Sequence, residues 1–108
     1  LAKGAIRAGV DVLLREAGIA HDEIETFIVA GAFGTYLDLK SATQIGMFPP
    51  LPLNRFRQVG NAAGTGARQM LISAERRRMA ELIVDHVRYI ELTAHPSFTD
   101  IYMSAMVL

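Results

Sequence analysis

The 108-residue sequence contains no cysteine. A disulfide framework, a thiolate nucleophile and a cysteine-ligated metal or cluster are therefore excluded from this stretch, and the redox compartment stays open. Net charge is also missing, with 11 Lys and Arg against 11 Asp and Glu. This balance argues against a duplex-binding module, which needs a basic footprint, and against an acidic disordered tail, so no nucleic-acid partner is expected. Long apolar runs are lacking too. The longest uncharged run, Ser41 to Asn54, is fourteen residues and contains Pro49, Pro50 and Pro52. It is too short and too broken to cross a bilayer, and no basic segment leads into an apolar one, so neither a membrane span nor a signal peptide is expected.

What is present is apolar: 51% of the chain. The length is that of one domain, residues 1–108, able to bury a real core without staples. The chain starts at Leu1 and enters a helical pattern at once. The expectation is a C-terminal fragment of a longer domain, whose surplus apolar surface meets another part of the parent.

Ile6, Val10, Leu13 and Leu14 recur at helical spacing over residues 1–17, and Gly18 is placed to stop that helix. Thr26 to Ala30 is β-branched and aromatic, apolar on both faces, and reads as a buried strand ended by Gly31. Asp38 caps a short helix closed by Gly46, and the proline-rich Met47 to Leu53 must be an irregular connection. Phe56 to Val59 is a second strand, ended by Gly60, after which Asn61 caps a helix to about Ile72.

Residues 74–86 predict a further helix, with Met79, Leu82, Ile83 and Val87 in one apolar stripe opposite Arg77, Arg78, Glu81 and Asp85. Arg88 to Thr93 has the β-propensity of a third strand. Pro96 suits a helix start, and Phe98, Ile101, Tyr102, Ala105 and Met106 complete a final helical stripe. Alternating strands and helices indicate an α/β fold with at least two parallel neighbours.

Chemistry concentrates in the two glycine turns, which begin 29 residues apart at Gly31 and Gly60. In open α/β sheets, ligands sit where strand ends and helix N-termini present backbone donors. Glycine and alanine at such places let a ligand approach the main chain, although tight strand-to-helix turns need glycine in any case. The second turn also fits the Gly-x-x-x-Gly-x-Gly pattern of short-chain dehydrogenases. Too little chain follows for that fold, and Glu81, near the spacing of a ribose-binding acid, falls inside a predicted helix.

Other residues have plain explanations. His21, His86 and His95 are scattered without ligand spacing, so no metal site is expected. Arg76 to Arg78 can touch a phosphate or an acidic partner, but fit a solvated helix face with Glu81 four residues from Arg77. Asp38 is accounted for by capping. The Met47 to Pro52 stretch can serve as a docking loop or simply as a connector. No residue is assigned a catalytic role.

Taken together, the two turns resemble the second-domain core of the acetate and sugar kinase/heat-shock/actin (ASKHA) ATPase superfamily, a ribonuclease-H-like fold. Ile28 to Gly34 looks like its adenosine motif, with Ala32 where the superfamily has a second glycine. Gly60 to Ala67 looks like its second connecting motif, a helix of small residues at the interdomain hinge.

The resemblance is closer to the C-terminal part of ATP-dependent reductive activators of corrinoid proteins. It is carried by Leu1 to Gly9, Ala30-Gly31-Ala32-Phe33-Gly34, Val59-Gly60-Asn61-Ala62-Ala63-Gly64, and Tyr89 to Leu92 through His95-Pro96-Ser97-Phe98. This implies a partial actin-type second-domain core with added C-terminal helices. The parent would be cytoplasmic, use ATP or ADP with Mg, and carry an iron–sulfur cluster in an upstream domain. It would return cob(II)alamin on a partner corrinoid protein to cob(I). By this resemblance Gly31, Ala32, Phe33 and Gly34 line adenosine, while Gly60, Asn61, Ala62, Ala63 and Gly64 form the hinge and its backbone donors. The competing expectation is a non-catalytic module that homodimerises through an unpaired sheet edge and apolar face, its glycine turns purely structural.

Overall fold

The computed structural model describes residues 1–107. Helix α1 (Ala2–Ala17) ends where Gly18 takes φ +70, with Ile19 N–H donating to Leu14 O and Gly18 N–H to Arg15 O. This is a left-handed glycine stop of the kind expected at that position. Strand β1 (Phe27–Ala30) leads through Gly31 into a 3₁₀ turn, Ala32–Tyr36. Helix α2 (Leu39–Gln44) follows, then the proline-rich connection and a 3₁₀ turn at Leu53–Arg55. Strand β2 (Phe56–Gly60) runs directly into α3 (Ala62–Ile72), α4 (Ala74–Val84) and, after an irregular stretch, α5 (Phe98–Ala105). Strands β1 and β2 pair in parallel as a two-stranded sheet, so the fold is α/β, with five α-helices among the described residues.

The two caps anticipated from side-chain chemistry, at Asp38 and Asn61, are formed, and Ser73 adds a third at the start of α4. Asp38 Oδ1 accepts from Lys40 N–H at 3.1 Å, and Asp38 Oδ2 accepts from the Ser41 hydroxyl at 2.9 Å. Asn61 Oδ1 accepts from Gly64 N–H at 2.9 Å, and Ser73 Oγ from Arg76 N–H at 3.1 Å. Each satisfies an amide that the first helical turn leaves without a partner.

The chain forms two compact units. Among the described residues the first comprises 1–28, 37–57 and 90–107; the second comprises 29–36 and 58–89. In the first unit α1 packs on α5, burying Ala8, Val12 and Ile101 against Ile90, Leu92, Phe98 and Tyr102. A separate aromatic cluster joins Phe27 to Phe48 (centroids 5.0 Å apart) and to Phe56 (5.2 Å), which places the connection before β2. Arg7 ties this connection to α1, donating to Gly46 O and Phe48 O, each at 3.3 Å, and to Asp11 at 3.1 Å.

The second unit has no such core. Among its described residues only Gly34 is buried, and neither α3 nor α4 contains a buried residue. The apolar stripe expected on α4 is therefore present but exposed, from Met79 at 45% to Leu82 at 65%.

Two further expectations are corrected. The first strand is not buried on both faces: Ile28 is 58% exposed, because β1 alternates between half-buried and exposed positions in a sheet of only two strands. Residues 88–93 form no strand. Ile90 and Leu92 instead act as single anchors on the α1–α5 cluster, and Leu92–Ala94 closes a 3₁₀ turn with His95 N–H donating to Leu92 O. Their β-propensity reflects a fit to half-buried surface, which helix packing satisfies equally well. Pro96 lies in the turn before α5, which begins two residues later.

Candidate functional site

The two glycine turns expected to carry chemistry both lie in the second unit, and the structure brings them together. Gly31 N–H donates to Gly60 O at 2.6 Å, joining the ends of β1 and β2. Gly31 has φ +100 and Gly60 φ +66, left-handed conformations that a side chain with Cβ adopts only under strain. No atom lies within 4 Å of where a Gly31 Cβ would stand, so its outer face is open backbone.

The first turn is braced internally. Gly34 N–H donates to Gly31 O at 3.0 Å, and the Thr35 hydroxyl donates to Ala32 O at 2.9 Å. Gly34 itself is pressed against β1, since an added Cβ would stand 3.0 Å from Val29 Cγ1. Between Gly31 and Gly34, Phe33 is 87% exposed, as is Tyr36. In a 3₁₀ turn residues three apart lie one above the other, so Phe33 and Tyr36 sit at matching positions on one side of a fixed backbone.

The second turn is equally ordered. Asn61 caps α3 through Gly64, and Thr65 returns both its amide and its hydroxyl to Asn61 O at 3.1 Å. Ala62 and Ala63 occupy the first turn of α3, where amides have no acceptor within the helix. The nine residues expected to form the site thus fall into two groups, Gly31 to Gly34 and Gly60 to Gly64, linked by the Gly31–Gly60 bond.

Sequence reasoning passed over two residues that join these groups. Gln58 Nε2 donates to Gly34 O at 2.5 Å, and the Thr35 methyl lies 3.6 Å from the place a Gly60 Cβ would occupy. Neither has a sequence signal, because their partners lie 24 and 25 positions away with no periodic relation. A cleft of about 600 Å³ was also unanticipated. It lies within the first unit, lined by Lys3, Arg7, Asp11 and Arg15 on successive turns of α1 and by Asp100 and Ser104 of α5. The i, i+4 recurrence of those four charged residues was its available signal.

The remaining candidates take structural positions. Asp38 caps α2, and the Ser41 hydroxyl, then the Ser41 amide, hold its carboxyl below the ordinary aspartate value. His95 Nδ1 accepts from Ser97 N–H at 3.2 Å, which leaves its Nε2–H to donate to Glu16 at 2.7 Å, bridging the start of α5 to the end of α1. The His86 ring meets Leu82 O at 2.9 Å, and Arg77 donates to Met70 O at 2.6 Å, near the end of α3. Among the described residues no group of three or more His, Asp or Glu could hold a metal ion. Among the described residues no helix is long and apolar enough to cross a membrane.

Two parallel strands, each ending in a left-handed glycine and leading into a turn or helix of small residues, form part of an actin-type ATPase core. The family described as the C-terminal domain of RACo, the ASKHA domain, matches residues 1–108, and the chain belongs to that family. It is 39% identical over 103 residues to the corrinoid activation enzyme RamQ of Eubacterium limosum, covering 95% of this chain and 17% of that protein. It is 33% identical over 73 residues to the [Co(II) methylated amine-specific corrinoid protein] reductase of Methanosarcina barkeri, covering 68% of this chain and 13% of that protein. The chain thus spans less than a fifth of either relative's length.

Proposed function

We propose that residues 1–108 are the C-terminal part of the ATPase domain of a longer, cytoplasmic reductive activator, and that they supply its adenosine-facing turn and one side of its hinge. The parent acts on a partner corrinoid protein and returns its cob(II)alamin to cob(I) by adding one electron. The observation that carries this reading is the family match over all 108 residues, supported by two relatives named for corrinoid activation and reduction.

The residues present suit a nucleotide. Gly31 offers bare backbone without a Cβ, Phe33 offers an exposed ring for a planar base, and the Ala62 and Ala63 amides at the start of α3 have no acceptor within the helix. ATP, when bound, supplies the free energy that assists an uphill electron transfer. In this chain Gly31, Ala32, Phe33 and Gly34 line adenosine, and Gly60, Asn61, Ala62, Ala63 and Gly64 provide the hinge and its backbone donors. Nucleotide held by both lobes of the parent then favours a closed form, and the small residues of α3 permit the lobes to slide. Mg would be held by groups elsewhere in the parent. The iron–sulfur cluster does not fit here, since the chain has no cysteine, so the electron carrier belongs to an upstream domain.

The test is the conversion of cob(II)alamin to cob(I) on a corrinoid protein by the full-length parent, followed by visible absorption. ATP should be required, and Gly31→Val should remove the requirement's benefit by abolishing turnover. Equal rates with and without ATP would refute the reading.

A second reading is favoured by one observation. Leu71 and Ile72 at the end of α3 are 81% and 78% exposed, and Leu82 and Ile83 of α4 are 65% and 60% exposed. An apolar face of this kind suits self-association of the isolated chain as a homodimer. Sedimentation of the 108-residue chain decides it: a monomer at all concentrations would eliminate this reading.

A further inference from the structure

We infer that Gln58 is a positioning residue that fixes the first glycine turn against the second, so that a nucleotide held at Gly31 to Gly34 is registered at the start of α3. The inference rests on the proposed nucleotide reading and deepens it.

The first turn meets the end of β2 through a main-chain hydrogen bond and a side-chain hydrogen bond. One is the main-chain bond from Gly31 N–H to Gly60 O at 2.6 Å. It fixes one point of the turn, while the packing of Gly34 on Val29 and of Thr35 beside Gly60 is non-directional and does not set where the turn's carbonyls point. The other runs from the Gln58 side-chain amide to Gly34 O at 2.5 Å, three residues further along the turn. Two attachment points define an orientation where one does not. The turn between them is already closed on itself by Gly34 N–H to Gly31 O and Thr35 Oγ to Ala32 O, so it moves as one piece.

Gln58 stands on β2 two residues before Gly60, which places its amide and the Asn61 cap on consecutive parts of one strand-to-helix passage. A shift of the first turn toward a bound base therefore pulls on Gly34 O, on Gln58 and on the segment entering α3. Gly34 is the buried residue of this unit, and its carbonyl has more to lose than an exposed one when its donor is removed.

The chemistry to test is donation, not size. Gln58→Glu keeps the shape but replaces the NH₂ donor by a carboxylate oxygen facing a carbonyl oxygen. Gln58→Lys changes the shape but keeps an N–H donor able to reach Gly34 O. In the full-length protein, calorimetry with MgADP should show about tenfold weaker binding for Gln58→Glu, the worth of one hydrogen bond, and wild-type-like affinity for Gln58→Lys. Amide hydrogen exchange without nucleotide should be faster at Gly34 to Tyr36 in Gln58→Glu alone. Equal affinity and equal exchange in the two variants would overturn the inference. If the wild-type protein fails to bind ADP, the nucleotide reading falls. The exchange experiment still decides the latch: selective loosening in Gln58→Glu supports it, and unchanged exchange refutes it.

Discussion

Gly34 offers a sharp test of how the first turn is packed. Its φ is not in the left-handed region, so the backbone would accept alanine without strain. The objection is steric: the new Cβ would stand 3.0 Å from Val29 Cγ1 and 3.4 Å from Val29 O. Valine is stiff about χ1 and cannot swing its methyl away cheaply. Overpacking of this sort costs about 1–3 kcal/mol, and a single close methyl belongs in the lower half of that range. For a chain of this size about 1–2 kcal/mol lowers Tm by roughly 4–16 °C in a thermal melt. Val29→Ala alone should cost about 1 kcal/mol, since Val29 is half-buried and loses two carbons. The double variant Gly34→Ala/Val29→Ala removes the clashing methyl and should cost little more than Val29→Ala alone. The cycle should therefore show a favourable coupling of about 1 kcal/mol. Strict additivity of the two substitutions would refute the claim that Val29 is what excludes a Cβ at Gly34.

Two further outcomes follow from burial and capping. Val12, fully buried between α1 and α5, should cost about 2–3 kcal/mol as alanine in urea denaturation, whereas Leu82→Ala on the exposed face of α4 should stay within about 0.5 kcal/mol. The Asp38 carboxyl is held below its ordinary value of 3.8 by Ser41, so its contribution to stability is complete above that value and is lost as pH falls through the lowered folded value. Melting between pH 2 and 6 should show an acid-side loss in the wild-type chain that Asp38→Asn, which caps without titrating, reduces, with the two profiles running parallel above pH 5.

Much of the local structure was legible because its causes are local. Gly18 could stop α1 since glycine alone takes φ +70 without strain, and Asp38 and Asn61 could cap since their oxygens reach amides two or three residues on. Both glycine turns were readable for the same reason. Features set by distant partners were not. Arg88 to Thr93 has strand-like residues, yet Ile90 and Leu92 found a helix pair to pack on and no strand to pair with. Thr26 to Ala30 carries apolar residues on both faces, but burial depends on what covers a strand, and Ile28 remains exposed. The bonds that unite the site, Gly31 to Gly60 and Gln58 to Gly34, span 29 and 24 residues and leave no trace in any local period. Family resemblance supplied the nucleotide assignment of the turns; spacing alone supported a ligand and a tight turn equally.

The central claim is that the Gly31 to Gly34 turn faces adenosine. The most direct measurement is the ADP-induced shift in Tm of the full-length protein, with Mg, for wild type and for Phe33→Ala. Because Phe33 is 87% exposed, its truncation should leave the unliganded Tm within about 2 °C, as for ordinary surface substitutions. The account predicts a clear rise with ADP in the wild type and a much smaller rise in Phe33→Ala at the same nucleotide concentration. An undiminished rise in the variant, or none in the folded wild-type protein, would contradict it.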